Sequence, residues 1–351
     1  MSVFQSPVLF QHNKEDIYLF TLKNNRGVEI SISNLGAIIQ SFIVPDRSGK
    51  ARDIVLGFDS ISQYLEQDYL DSMTYLGAIV GRYANRIGNA CFEIDGELFT
   101  VSENLPPHQI HGGHEGFDRK VWNPEIITGS TVPKLQLSYL SKDGEEGFPG
   151  NLQVTVSFEL NEENELILIT EAITDKATPV NLTHHDYFNL NGTGLIEDQW
   201  VELPSVLYLG QHEDYLSSGE LHPVAGTKYD FTKAKQISRD WEAGEGYDQS
   251  FVLDKEYGSW GRAAMAFSDK NGLKLEVYTD EPTVQFYTGK HLNLKQGKMG
   301  QAYLPFSGFC FETQHHTNAL NIPGFPETIL RPGQVYKHKT IYQVSTVQDP
   351  G

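Results

Sequence analysis

The sequence predicts an all-β protein, a large antiparallel β-sandwich with few short helices. One observation is the recurrence of turn pairs: Asp95-Gly96, Asp143-Gly144, Pro149-Gly150, Asn191-Gly192, Asn271-Gly272, Pro323-Gly324 and Pro332-Gly333. Such pairs join glycine, free to take a positive φ, to a residue that favours reversal of the chain. A second is that the stretches between them are short and alternate apolar with polar residues, the period of a half-buried strand. A third is that helical spacing is scarce. A chain of 351 residues is long enough for two average domains, but large sandwiches reach this size as one. No repeat, low-complexity tract or linker divides it, so a single domain over residues 1–351 is expected.

Taken in order, residues 28–33 alternate apolar and polar, and 37–44 continue in short apolar strokes, which predicts two strands. A turn at 46–50 leads to a strand over 53–57. Asp59 is placed to cap a short helix from Ser60, where Ile61, Tyr64 and Leu65 recur at helical spacing. Strands follow at 135–140, 152–160, 166–174, 273–279, 284–288 and 335–344. Residues 209–246, rich in Gly, Ser and acidic side chains, read as a long loop of the kind that carries binding groups.

The charge balance narrows the partners. Lys and Arg total 27 against 46 Asp and Glu, a net charge of -19. That repels nucleic acid and anionic membrane and suits a neutral small molecule. No Lys/Arg cluster or glycine-rich phosphate loop is visible to hold a sugar phosphate. No apolar run approaches the roughly 20 residues of a membrane helix. The first residues lack a basic segment, apolar run and cleavage site, and the two cysteines, Cys91 and Cys310, lie among apolar neighbours, where reduced, buried thiols are expected. A cytoplasmic protein is the expectation.

The chemistry concentrates in residues 181–190, Asn-Leu-Thr-His-His-Asp-Tyr-Phe-Asn-Leu. In an extended chain His185 and Tyr187 share one face, and His184, Asp186 and Phe188 the other, so one histidine of the pair faces a site. Taken alone, either is more readily a satisfied polar group at a sheet end than a site residue. Partners lie at Gly81-Arg82-Tyr83-Ala84-Asn85-Arg86-Ile87, at His111-Gly112-Gly113 with Gly116-Phe117-Asp118 behind it, and at Phe311-Glu312-Thr313-Gln314. Glu312 stands in an otherwise apolar strand, where an ionised carboxylate costs several kcal/mol unless it is paired or hydrogen-bonded.

These four motifs, in this order, resemble the aldose 1-epimerase (galactose mutarotase) family, and the resemblance covers essentially the whole chain. It implies the family's supersandwich fold and mutarotation of free hexoses such as galactose and glucose, with no cofactor and no metal, by a monomer or homodimer. It implies Glu312 as base, His185 as acid and His111 as a donor near the ring oxygen. Asn85, Arg86, Asp248 and Gln285 then fix sugar hydroxyls, and Asp186 and Tyr187 complete the expected contacts. Read alone, Arg86 is equally a structural ion-pair partner, Asn85 and Asp248 turn residues, and Gln285 a strand-face amide. His108, His114, His212, His222 and His338 read as ordinary surface or loop histidines.

The chain departs from the family pattern at His184, where Asn is usual, at Asp186, where Ser or Thr is usual, and at His315-His316, where the family turns through proline. Three rival functions can be set against this reading. A metal hydrolase would use His111, His184, His185, His315 and His316, but no His-x-x-x-His helix or cysteine pair supports it. A glycosidase would need two carboxylates, for which Glu312 and Asp248 are available. A sugar-binding module would need no acid set opposite a base.

Overall fold

The structure is a computed structural model, and it describes residues 2–128, 132–241 and 244–347. Among these, strands dominate. The one α-helix is the four-residue Gln67–Leu70, and the remaining helical pieces are 3-10 turns. The predicted helix is such a turn, Ile61–Leu65, and its cap is Ser60 rather than Asp59. Ser60 and Gln63 form a reciprocal capping box. Asp59 instead accepts from the Met299 amide at 2.8 Å.

The largest sheet has nine antiparallel strands. In spatial order they are Asn123–Ile127, Lys134–Ser141, Leu152–Leu160, Glu165–Thr174, Tyr336–Thr346, Leu273–Thr279, Gly261–Phe267, Trp200–Glu202 and Lys235–Gln236. A five-stranded sheet near the N-terminus contains Leu19–Lys23, Glu29–Ser33 and Ile39–Pro45. A second five-stranded sheet runs Ser217–Pro223, Leu207–Gln211, Asp248–Val252, Thr283–Tyr287 and Cys310–Gln314. One hydrophobic cluster takes side chains from all three, among them Phe20, Phe42, Val156, Leu275, Phe286 and Phe311. Faces of different sheets that share one core make a sandwich.

Residues 209–246 are not a loop: they contain the strands Ser217–Pro223 and Lys235–Gln236 and the end of Leu207–Gln211, while 242–243 lie outside the described residues. The predicted strand at 53–57 is shorter, with Ala51–Asp53 in the sheet and only an isolated bridge from Val55 to Phe188 beyond it. Arg82 proves structural. Fully inside the protein, it donates to the carbonyls of Pro149, Gly150, Ser141 and Lys142 and to the hydroxyls of Thr178 and Ser141.

Candidate active site

The second five-stranded sheet builds one wall of the site through its period of two. Along Cys310–Gln314, Phe311 joins the core while Cys310 and Glu312 take the opposite face. The neighbouring strand sends Val284 and Phe286 to the core and Gln285 and Tyr287 to the site. Cross-strand register then aligns Ser250, Gln285 and Glu312 in one row and Asp248, Tyr287 and Cys310 in the next. A diagonal bond joins the rows, Gln285 Nε2 donating to Asp248 Oδ1 at 2.7 Å.

The segment 181–190 runs beside the chain that enters Cys310–Gln314, Phe188 pairing with Phe309, and extends that wall. Only Thr183–His184 is laddered, against Ile79–Val80, yet the alternation survives. His185 and Tyr187 line the cavity, their rings stacked with centroids 5.0 Å apart. His184 and Asp186 turn away and bond to each other, Nδ1 to Oδ2, at 2.8 Å, while His184 Nε2 lies 3.1 Å from the Ala37 carbonyl. Asp186 is therefore not a cavity residue, contrary to its expected place among the sugar contacts: the turn from one face of the chain to the other takes it into the pair with His184.

His111 comes from a third direction. The strand pair Arg86–Ile87 and Gln109–Ile110 sets Arg86 opposite Ile110, and Asn85 and His111 flank it with left-handed φ of 63° and 53°. The Asn85 amide donates to His111 Nδ1 at 3.3 Å. An Nδ1 that accepts leaves the proton of a neutral imidazole on Nε2, so His111 is a donor at its other nitrogen. Gly112 makes this turn feasible. Its φ is 89°, and a Cβ there would sit 1.9 Å from the Gly81 carbonyl oxygen.

The cavity these walls enclose has a volume of about 500 Å³ and collects Asn85, Arg86, His111, His185, Tyr187, Asp248, Gln285 and Glu312. His185 Nε2 lies 3.6 Å from Glu312 Oε1, and its Nδ1 is 3.5 Å from the Cys310 thiol. Glu312 Oε2 has no hydrogen-bond partner among the described residues. The Arg86 guanidinium stacks 5.4 Å from the Tyr215 ring centroid, an orientation that leaves its planar fork free to grip a ligand.

Burial sets the charge states. It pushes the Glu312 carboxyl well above its ordinary value, with Asp248 adding to the rise and Arg86 opposing it. It drives His185 down to about 3, and holds His111 well below its usual range, with the neighbouring His185 and Arg86 acting in the same direction. Burial thus disfavours charge on all three groups, a perturbation typical of proton-transfer sites. One ligand atom each from His111, His185 and Glu312 lies within 4.8 Å of the others, a convergence that would also suit a divalent ion.

Several cavity residues had no sequence signal. His108, read as an ordinary surface or loop histidine, is buried: it accepts from the Asn89 amide at Nδ1 and meets Asp214 at 3.0 Å through Nε2. Tyr75, Tyr287 and His291 also line the cavity. Of the two free cysteines only Cys310 is buried; Cys91 is half-buried.

A β-sandwich with a carboxyl group and two imidazoles converging in an enclosed cleft belongs to the class of proteins equipped for acid/base chemistry on a small molecule. The aldose 1-epimerase family model matches residues 18–343. The galactose mutarotase of Rattus norvegicus is 39% identical over 331 residues, 93% of each chain. The aldose 1-epimerase of Escherichia coli (strain K12) is 35% identical over 334 residues, 93% of this chain and 94% of that one. Among solved structures, the galactose 1-epimerase of Lactobacillus acidophilus NCFM superposes with a TM-score of 0.86 at 26% identity, covering 99% of both chains. An aldose epimerase homologue from C. elegans gives 0.86 at 28% identity over 94% of this chain and 99% of its own. The chain belongs to the aldose 1-epimerase family.

Proposed function

We propose that Glu312 and His185 interconvert the α and β anomers of free hexoses, galactose and glucose among them, by opening and reclosing the hemiacetal ring. Family membership makes the chain an isomerase of the aldose 1-epimerase class; the residue roles and the sugar are the proposal. The observation that carries it is the buried carboxyl and imidazole 3.6 Å apart, each shifted towards its neutral form, so that the pair holds one proton between them. Ring opening needs one proton in transit. Glu312, ionised when that proton sits on His185, takes the C1 hydroxyl proton as the C1 carbonyl forms. The C1 to ring-oxygen bond breaks, and the ring oxygen receives the proton of His185. Rotation about C1–C2 presents the other carbonyl face, and the two transfers run backwards to close the ring.

His111, a donor at Nε2, steadies charge on the ring oxygen. Asn85, Arg86, Tyr187, Asp248 and Gln285 orient the sugar. A neutral hexose fits the protein's net charge of -19 better than a sugar phosphate. The reading also takes the chain as one domain over residues 1–351, monomeric or homodimeric and cytoplasmic; the core shared by three sheets supports the first of these, and no helix in the described residues is long and apolar enough to cross a membrane.

The test is Glu312→Gln. Glutamine keeps the volume and can accept a hydrogen bond but takes no proton at neutral pH. Turnover, followed by polarimetry in weak buffer, should fall about 100- to 10,000-fold, while calorimetric affinity for galactose changes by no more than about 1 to 2 kcal/mol. A variant that binds normally and keeps more than about a tenth of the rate removes Glu312 from the mechanism. The convergence of His111, His185 and Glu312 favours a second, metal-dependent reading. It predicts a rate lost on dialysis against chelator and restored by zinc, whereas proton transfer alone predicts an unchanged rate.

A further inference from the structure

A second cluster of ligating side chains lies outside the catalytic cavity and shares no lining residue with it. Glu281 sits between the strands Leu273–Thr279 and Thr283–Tyr287, His315 directly follows Cys310–Gln314, and His338 lies within Tyr336–Thr346. One carboxylate oxygen and one ring nitrogen from each imidazole lie within 4.8 Å of one another. His338 Nδ1 is 3.3 Å from Glu281 Oε1 and 3.2 Å from Asp280 Oδ1; His315 Nε2 is 3.9 Å from Glu281 Oε2. Glu281 is 1% exposed, and its Oε2 has no hydrogen-bond partner among the described residues. A buried, under-bonded carboxylate oxygen aimed at imidazole nitrogens is costly unless something cationic joins them.

The spacing suits a metal ion. Zinc bonds of about 2.0 to 2.2 Å in a tetrahedron separate neighbouring ligand atoms by roughly 3.4 Å; His338 stands 3.3 Å from one Glu281 oxygen and His315 3.9 Å from the other, close enough for small side-chain adjustments to bring the three onto one ion. Two imidazoles with a carboxylate favour zinc and its transition-metal neighbours over calcium or magnesium, which prefer all-oxygen shells. An outer shell is present: the Tyr336 hydroxyl donates to Glu281 Oε1 at 3.3 Å, and Asp280 Oδ1 accepts from the Lys339 amide at 3.0 Å. His315 and His338 line a cavity of about 470 Å³ with Tyr257 and Tyr336, giving an entry path and room for a water as fourth ligand. The second carboxylate, Asp280, adds negative charge to balance a dication.

We propose that Glu281, His315 and His338 form a binding site for a divalent transition-metal ion of the zinc type. The ion ties together the turn at 280–282, the exit of the strand that carries Glu312, and the strand Tyr336–Thr346 of the large sheet. Binding displaces to solvent any proton that the ligating atoms hold.

Chelator-stripped full-length protein is titrated with zinc chloride while the imidazole resonances of the unaltered protein are followed by NMR. The first equivalent should shift His315 and His338 and leave His111 and His185 unmoved, with proton release in parallel calorimetry and a higher melting temperature. Affinity should drop at least about 100-fold in His338→Gln and Glu281→Gln and persist in His185→Asn. First-equivalent shifts confined to His111 and His185 would assign the ion to the catalytic cavity and overturn the proposal. So would a titration with no tight equivalent, which would leave a proton-sharing cluster only. Because the NMR reading uses unaltered protein, it decides the matter even where a variant fails to fold.

Discussion

At the scale of single residues, the two adjacent histidines divide the labour that their alternation suggests. His184 is engaged at both ring nitrogens, by Asp186 and the Ala37 carbonyl, and faces away from the cavity. His184→Asn should therefore lower the melting temperature and change turnover by less than about tenfold, whereas His185→Asn should cost about 100- to 10,000-fold; polarimetry beside thermal unfolding checks both, and the reverse order would exchange their roles. The shared proton also shapes the pH profile. The active form of the pair carries one proton. It gains a second only as pH falls towards the depressed value of His185, about 3, and loses the first as pH rises through the raised value of Glu312. kcat/KM should accordingly hold level through pH 6.5, the ordinary imidazole value, and fall on the alkaline side; an acid limb at 6.5 would mean that His185 titrates as a free imidazole. The alternation was legible because a period of two survives even where only Thr183–His184 is laddered. His108 was not, since its partner Asp214 lies 106 residues away and no local pattern reports such a contact.

At the scale of elements, the turn that presents His111 rests on Gly112. A side chain there meets the Gly81 carbonyl at 1.9 Å as well as an unfavourable φ of 89°, whereas Gly96, with φ of 85°, has nothing within 4 Å. Gly96→Ala should cost only the backbone term, about 1 kcal/mol, and Gly112→Ala clearly more, with a fall in turnover as His111 moves. Urea unfolding with rate measurements separates the two; equal losses would mean that the turn yields freely. The strands at Leu152–Leu160 and Leu273–Thr279 match their predicted bounds because one face is buried and alternation is clean. Ser217–Pro223 leaves no period in the sequence because it lies at a sheet edge with most of its residues partly or fully exposed, so glycine and polar side chains erase the alternation. Helical spacing predicts the short helix, but its cap falls one residue after Asp59, because Ser60 and Gln63 complete a box that Asp59 cannot.

At the scale of the molecule, the sandwich was legible from turns and alternation, whereas the order of strands was not, because period and propensity say nothing about which strands pair. That order has a consequence for biosynthesis. The strand Tyr336–Thr346 lies inside the nine-stranded sheet, hydrogen-bonded on one edge to Glu165–Thr174 and on the other to Leu273–Thr279. A ribosome that has released residues up to 335 has delivered both neighbours but not the strand that joins them. At about 5 to 20 residues per second, Glu165–Thr174 waits on the order of ten seconds or more with one edge unpaired. Nascent chains stalled before residue 336 should be cut quickly by added protease, and chains extended by a linker so that residue 346 clears the tunnel should resist; equal resistance would show that the two halves close independently. The central staple of the sheet thus makes folding wait for translation, and leaves the growing chain with an open edge that molecular chaperones are suited to shield.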